Sequence, residues 1–114
     1  MPTPSFITEI DELAPLLTKP YFHLEIGQVN DHAAYLLRFK DESTWHRHTQ
    51  DEMYVVLEGE VKIEFQNQPT RILKKHCTTV VRAYTTHLPS SEEGALVLMI
   101  KPKEMFYAPT VKGE

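Results

Sequence analysis

The chain has 114 residues, the length of one small domain rather than two, and its 41% hydrophobic and 25% charged residues exclude the polar profile of a disordered chain. Sixteen acidic against twelve basic residues give a net charge of -4 with no Lys/Arg cluster, which argues against nucleic acid as a partner. No stretch reaches the ~20 apolar residues of a membrane span, and no basic region precedes an apolar run at the N-terminus, so a cytoplasmic protein is expected.

Thr8 followed three residues later by Asp11, with Ile10, Leu13, Leu16 and Leu17 behind them, predicts a capped helix that Pro15 keeps short. The period then changes. Phe22, Leu24 and Ile26 alternate with His23 and Glu25, and residues 33–39 form an apolar run after the turn-like Asn30 and Asp31, so both segments read as strands. Residues 52–57 are rich in β-formers, Glu58-Gly59-Glu60 is expected to turn the chain, and Val61, Ile63 and Phe65 share one face. Together they predict a half-buried hairpin. Asn67 to Pro69 ends it, and residues 71–73, 77–81 and 95–100 supply further short apolar runs, with 88–94 expected as a loop. Several short strands with little helix predict an all-β fold, an antiparallel barrel or sandwich. The single cysteine, Cys77, leaves no internal disulfide and is expected to pack as a small buried apolar group.

The chemistry concentrates between Trp45 and Val61. Side chains alternate along a strand, so His46 and His48 share one face, while Trp45 and Arg47 take the other, where Trp45 would cover the exterior or a dimer contact. A bend through residues 49–51 would return the Glu52 carboxylate to an ion held by the two imidazoles. From this chain's histidine, glutamate and glycine content, the joint pattern His46, His48, Glu52, Gly59 arises by chance on the order of one time in a thousand. The bland alternative is a polar strand end at the surface. One hairpin fills only part of a coordination sphere, and His87, where an apolar stretch gives way to polar residues, is the candidate ligand from a distant strand. Alone it would read as a solvated or hydrogen-bonded histidine. Three imidazoles and a carboxylate suit one divalent transition metal ion such as Fe, Mn, Zn, Ni, Co or Cu, whereas calcium and magnesium prefer all-oxygen shells. Tyr54 shares the face of Glu52 and is expected to line the cavity, and Arg38 and Arg82 are the plausible anion anchors near its mouth. His23, His32 and His76 have no partner at ligand spacing and read as surface or packing residues.

The run HRHTQDEMYVVLEG resembles the first signature of the cupin superfamily, H-x-H-x(3,4)-E-x(6)-G, at His46, His48, Glu52 and Gly59. The second signature, P-x-G-x(2)-H-x(3)-N, is matched at His87, with Arg82, Tyr84 and Ser91 where proline, glycine and asparagine are usual. Lys40 stands where a glycine often opens the first. The resemblance implies a single cupin domain over residues 1–114, a small jelly-roll β-barrel whose core spans 22–102, with His46, His48, Glu52 and His87 around one metal ion in its mouth. It also implies a homodimer formed through the segment around Phe22 to Ile26. Because the superfamily includes dioxygenases, decarboxylases, sugar-phosphate isomerases, epimerases, storage proteins and sensing domains, fold alone does not set function. The leading expectation is a mononuclear-metal, dioxygenase-like enzyme acting on a small organic substrate. A sugar-phosphate isomerase-like cupin and a non-catalytic small-ligand-binding or sensing cupin are the alternatives.

Overall fold

The computed structural model describes residues 7–104 and the strand Tyr107–Ala108. A short helix, α1 (Ile10–Leu13), runs directly into a 3-10 turn (Ala14–Leu16) opened by Pro15. The expected capping box is not made. The helix starts one residue later than a Thr8 cap requires, and Glu9 takes the N-cap without a side-chain hydrogen bond.

The rest is strand: β1 (Leu24–Val29), β2 (His32–Glu42), β3 (Arg47–His48), β4 (Glu52–Gly59), β5 (Val61–Phe65), β6 (Arg71–Leu73), β7 (Thr78–Val81), β8 (His87–Pro102) and β9 (Tyr107–Ala108). Every described ladder is antiparallel. Phe22, expected inside the first strand, lies ahead of it and is exposed. Asn30, in left-handed backbone at φ 54°, lets β1 return as β2 with Val29 opposite His32.

The long strand β8 organises the fold. Its residues 95–102 pair on one side with β2, from Ala33↔Lys101 to Phe39↔Ala95, and on the other with β4, from Met53↔Ile100 to Gly59↔Ala95. Its residues 87–91 pair with the end of β2, Glu42↔Ser90, and with β5, Phe65↔His87. Hence β2, β8 and the succession β4–β5 each pass through both halves of a sandwich and bend at one level. Left-handed residues mark the bend on all three: Asp41 at φ 59°, Gly59 at φ 80° and Gly94 at φ 98°.

Two expectations change here. Glu58-Gly59-Glu60 does not reverse the chain into a hairpin, because β4 and β5 do not pair with each other but follow one another along β8. Gly59 serves a close crossing instead: a Cβ there would sit 2.3 Å from the Gly94 carbonyl oxygen. Residues 88–94 are not a loop either. They continue β8, with Ser90 and Ser91 buried and Ser91 Oγ donating to the Glu60 carbonyl at 2.6 Å. Strands on both sides take up the backbone groups that a polar sequence would otherwise give to water.

Alternation sends Leu37, Phe39, Tyr54, Val56, Val61, Ile63 and Val97 between the halves, where Phe39 meets Tyr54 edge-on with centroids 5.7 Å apart. The opposite face of the same sheet is covered too. Leu36 and Leu96 pack under Ala14 and Leu17, with Ile10, Leu13, Leu24 and Leu57 around them. Burial on both faces explains why residues 33–39 are almost continuously apolar rather than alternating. Cys77, expected in the core, is exposed just before β7. No helix of the described residues is long and apolar enough to cross a membrane.

Candidate metal centre

Three chain segments bring four side chains together. Beyond β2 the chain reaches His46, whose N–H and C=O exchange hydrogen bonds with the C=O and N–H of His87 at 3.1 and 3.0 Å. That bridge fixes two imidazoles side by side, with centroids 4.4 Å apart. His48 follows two residues on, its ring 4.7 Å from that of His46, and its carbonyl accepts from the N–H of Tyr84 at 2.8 Å. Glu52 opens β4. One ligand atom from each of His46, His48, Glu52 and His87 lies within 4.8 Å of all the others, and His48, Glu52 and His87 are buried.

Hydrogen bonding orients the donors. His46 Nδ1 meets the Thr44 carbonyl at 2.6 Å and His87 Nδ1 meets the Thr85 carbonyl at 2.7 Å, an arrangement that assigns the ring proton to Nδ1 and leaves Nε2 unprotonated. His87 Nε2 then faces Glu52 Oε1 at 3.4 Å, acceptor against acceptor, unless a proton or a cation lies between them. Glu52 Oε2 is buried with no hydrogen-bond partner among the described residues. A metal ion satisfies both groups at once, so the donor set fits one. Tyr54 donates to Glu52 Oε1 at 3.0 Å and lies 3.5 Å from His87 Nε2, holding the carboxylate in place.

Burial, reinforced by the neighbouring His87, lowers the pKa of His46 to about 4. Burial also lowers His48 to about 4, against the opposing pull of Glu52. Both rings are therefore neutral at pH 7, the form that binds metal. For Glu52, burial pushes upward, but its contact with His87 and the nearby His48 and Lys101 outweigh it and hold the carboxyl below its ordinary value.

The cluster opens on a cavity of about 130 Å³ whose lining includes His46, His48, Glu52 and Tyr54. Arg38 and Arg82 do not line it. Arg38, between the inward Leu37 and Phe39, points the other way and donates to the Ala14 carbonyl at 3.1 Å. Arg82 is exposed and pairs with Asp51 at 3.0 Å; with the Ala83 N–H, 2.7 Å from the same carboxylate, it fastens the chain beside Glu52 to the turn ahead of His87. Tyr84, where the second signature carries glycine, adopts the left-handed backbone a glycine favours, φ 60°. His32 and His76 are exposed, as expected, but His23 lines the cavity. Lys101, Tyr21 and Ser43 also line it, and the sequence reading passes over them. Lys101 carried a usable signal, since it continues the alternating series Val97, Met99, Lys101.

The family model for the Cupin domain matches residues 36–101. The uncharacterized protein YdbB of Bacillus subtilis (strain 168) is 31% identical over 93 residues, 81% of this chain and 82% of that protein. Among solved structures, a cupin-2 domain containing protein from Shewanella frigidimarina superposes with a TM-score of 0.81 at 24% identity, covering 85% of this chain and 95% of the other. A hydroquinone 1,2-dioxygenase, solved with Cd2+ and 4-hydroxybenzonitrile, superposes with a TM-score of 0.73 at 20% identity over 90% of this chain and 81% of its own. With a β-sandwich whose inner face carries His46, His48 and Glu52 of the first signature, with Gly59 at its bend, and with these matches, the chain belongs to the cupin family.

Proposed function

We propose that the protein is a mononuclear-metal enzyme of the dioxygenase-like kind, with His46, His48, Glu52 and His87 holding one divalent transition ion and a small organic molecule as substrate. The observation that carries this is the convergence of four ligand atoms within 4.8 Å beside a cavity that reaches them. A structural site is closed by protein on all sides, whereas a catalytic one keeps a side open. When bound, the ion supplies Lewis-acid or redox chemistry at its open positions. The chain's own residues do the rest. Thr44 and Thr85 carbonyls fix the imidazoles, Tyr54 fixes the carboxylate, and Leu37, Phe39 and Met99 keep water from the reacting side. A cavity of about 130 Å³ is close to the ~150 Å³ that accepts benzene. That size favours a single-ring substrate over the sugar phosphate of an isomerase.

We read the assembly as a cytoplasmic homodimer, supported by the edge position of β1 among the described residues, by the exposed Val29 at its end and by the exposed Phe22 ahead of it. Light scattering should give twice the 13.2 kDa chain mass. Elemental analysis of protein purified without chelator tests the centre: one transition metal per chain is expected, and oxygen uptake with single-ring substrates should depend on it. Metal-free protein that takes up none of the six candidate ions would sink the reading.

A further inference from the structure

The metal centre does not use Lys101, a charged group of the cavity wall. Lys101 ends the inward series Val97 and Met99 on β8, so the fold carries an ammonium into a cavity lined by Leu37, Phe39 and Met99. Its Nζ donates to His23 Nε2 at 2.9 Å, and His23 Nδ1 donates in turn to the Tyr21 carbonyl at 3.1 Å. His23 is thereby a neutral acceptor and adds no negative charge; the Tyr35 ring, 5.4 Å from Nζ, and the Glu52 carboxylate, which makes no salt bridge with it, supply the favourable fields on the ammonium. Among the described residues Nζ makes no other hydrogen bond and no salt bridge, so two of its three N–H groups have no protein acceptor. A partly buried cation in direct contact with no carboxylate is costly, and an anion from solution that reaches it offsets that cost.

The remaining lining agrees. Among the described residues Glu52 is the only acidic side chain on the cavity wall, and it is engaged with His48 and His87. Ser43 Oγ, on the same wall, is buried without a hydrogen-bond partner among the described residues. Resting on the metal-enzyme reading, we infer that Lys101 is the substrate anchor and that the substrate is a small organic carboxylate with an apolar body about one ring in size. Its carboxylate takes the free N–H groups of Lys101, with Ser43 Oγ as a second donor. Its body lies on Leu37, Phe39 and Met99, and its other end faces His46, His48 and Glu52.

Titration calorimetry near pH 7 with benzoate and its uncharged analogue benzamide tests this on zinc-loaded and on metal-free protein. Benzoate is expected to bind both forms at least tenfold more tightly than benzamide. Lys101→Met should abolish that preference and Lys101→Arg should keep most of it, with metal content unchanged in both. Lys101→Gln replaces the Met variant if circular dichroism shows misfolding. The inference is overturned if benzoate binds Lys101→Met as it binds wild type, if wild type shows no preference, or if inorganic phosphate displaces benzoate at lower concentration than benzoate itself binds. The two readings fail separately. A preference lost in Lys101→Met on a chain that takes up no metal keeps the anchor and sinks the metal enzyme, and a metal-binding chain without the preference does the reverse.

Discussion

The Tyr54 hydroxyl reaches two of the four candidate ligands from inside the core, Glu52 Oε1 at 3.0 Å and His87 Nε2 at 3.5 Å. Tyr54→Phe should weaken metal binding about tenfold, as loss of an orienting partner typically does, and cost ~1 kcal/mol of stability. Competition with a chromogenic chelator and urea unfolding measure the two effects. Removing a ligand is more severe: His87→Ala should carry less than half the metal of wild type by elemental analysis. Acid has a defined direction. His46 and His48 titrate near 6.5 when unfolded and at about 4 when folded, so between those values the unfolded chain binds more protons. Their contribution to stability is complete above pH 6.5 and lost as pH falls toward 4, which denaturation of metal-free protein at stepped pH should show. At this scale the sequence was readable wherever alternation governs. It put His46 with His48 and Glu52 with Tyr54 on shared faces, leaving a bend to join the two pairs, and the same rule applied further would have sent Arg38 outward and Lys101 inward. Arg82 misled because a charge beside a ligand loop looks alike in sequence whether it faces substrate or fastens the loop to Asp51.

Among the elements, Gly59 separates what sequence shows from what it hides. A glycine between two β-rich runs is the common mark of a hairpin, yet the same residue also permits a strand to bend while continuing along its neighbour. Only pairing along the whole of β8 distinguishes the two, and that pairing joins residues far apart in sequence. The buried Ser90 and Ser91 were hidden for the same reason. Gly59→Ala should destabilise the protein by at least ~2 kcal/mol, combining left-handed strain with the clash at the Gly94 carbonyl. Gly94→Ala, at φ 98° but with no heavy atom nearer than 3.8 Å, should cost about half as much, since strain acts there alone. Parallel urea titrations with equal m-values decide between these expectations.

For the whole molecule, uptake of the proposed metal and folding would be one equilibrium. An ion that binds only the folded chain adds about 2.7 kcal/mol at a hundredfold excess over its Kd, which for a chain of this size raises Tm by roughly 10 °C. Chelation should lower Tm by that amount and restored metal should recover it, as differential scanning calorimetry would record. The all-β class was legible because strand period reports it directly. The helix covering Leu36 and Leu96 was legible only as a helix, because the face it protects belongs to strands read separately.

Strand β8 has a mechanical consequence. His87 and Lys101 stand at its two ends, fourteen residues apart, a stretch that would reach ~46 Å if straight. Yet Lys101 lines the cleft and His87 lies 3.4 Å behind its Glu52 wall, because the strand bends at Gly94 like sprung tongs. A guest gripped between the tips would stiffen both arms together. Hydrogen–deuterium exchange should therefore slow along the two arms in step when benzoate and zinc are both present, and by less with either one alone.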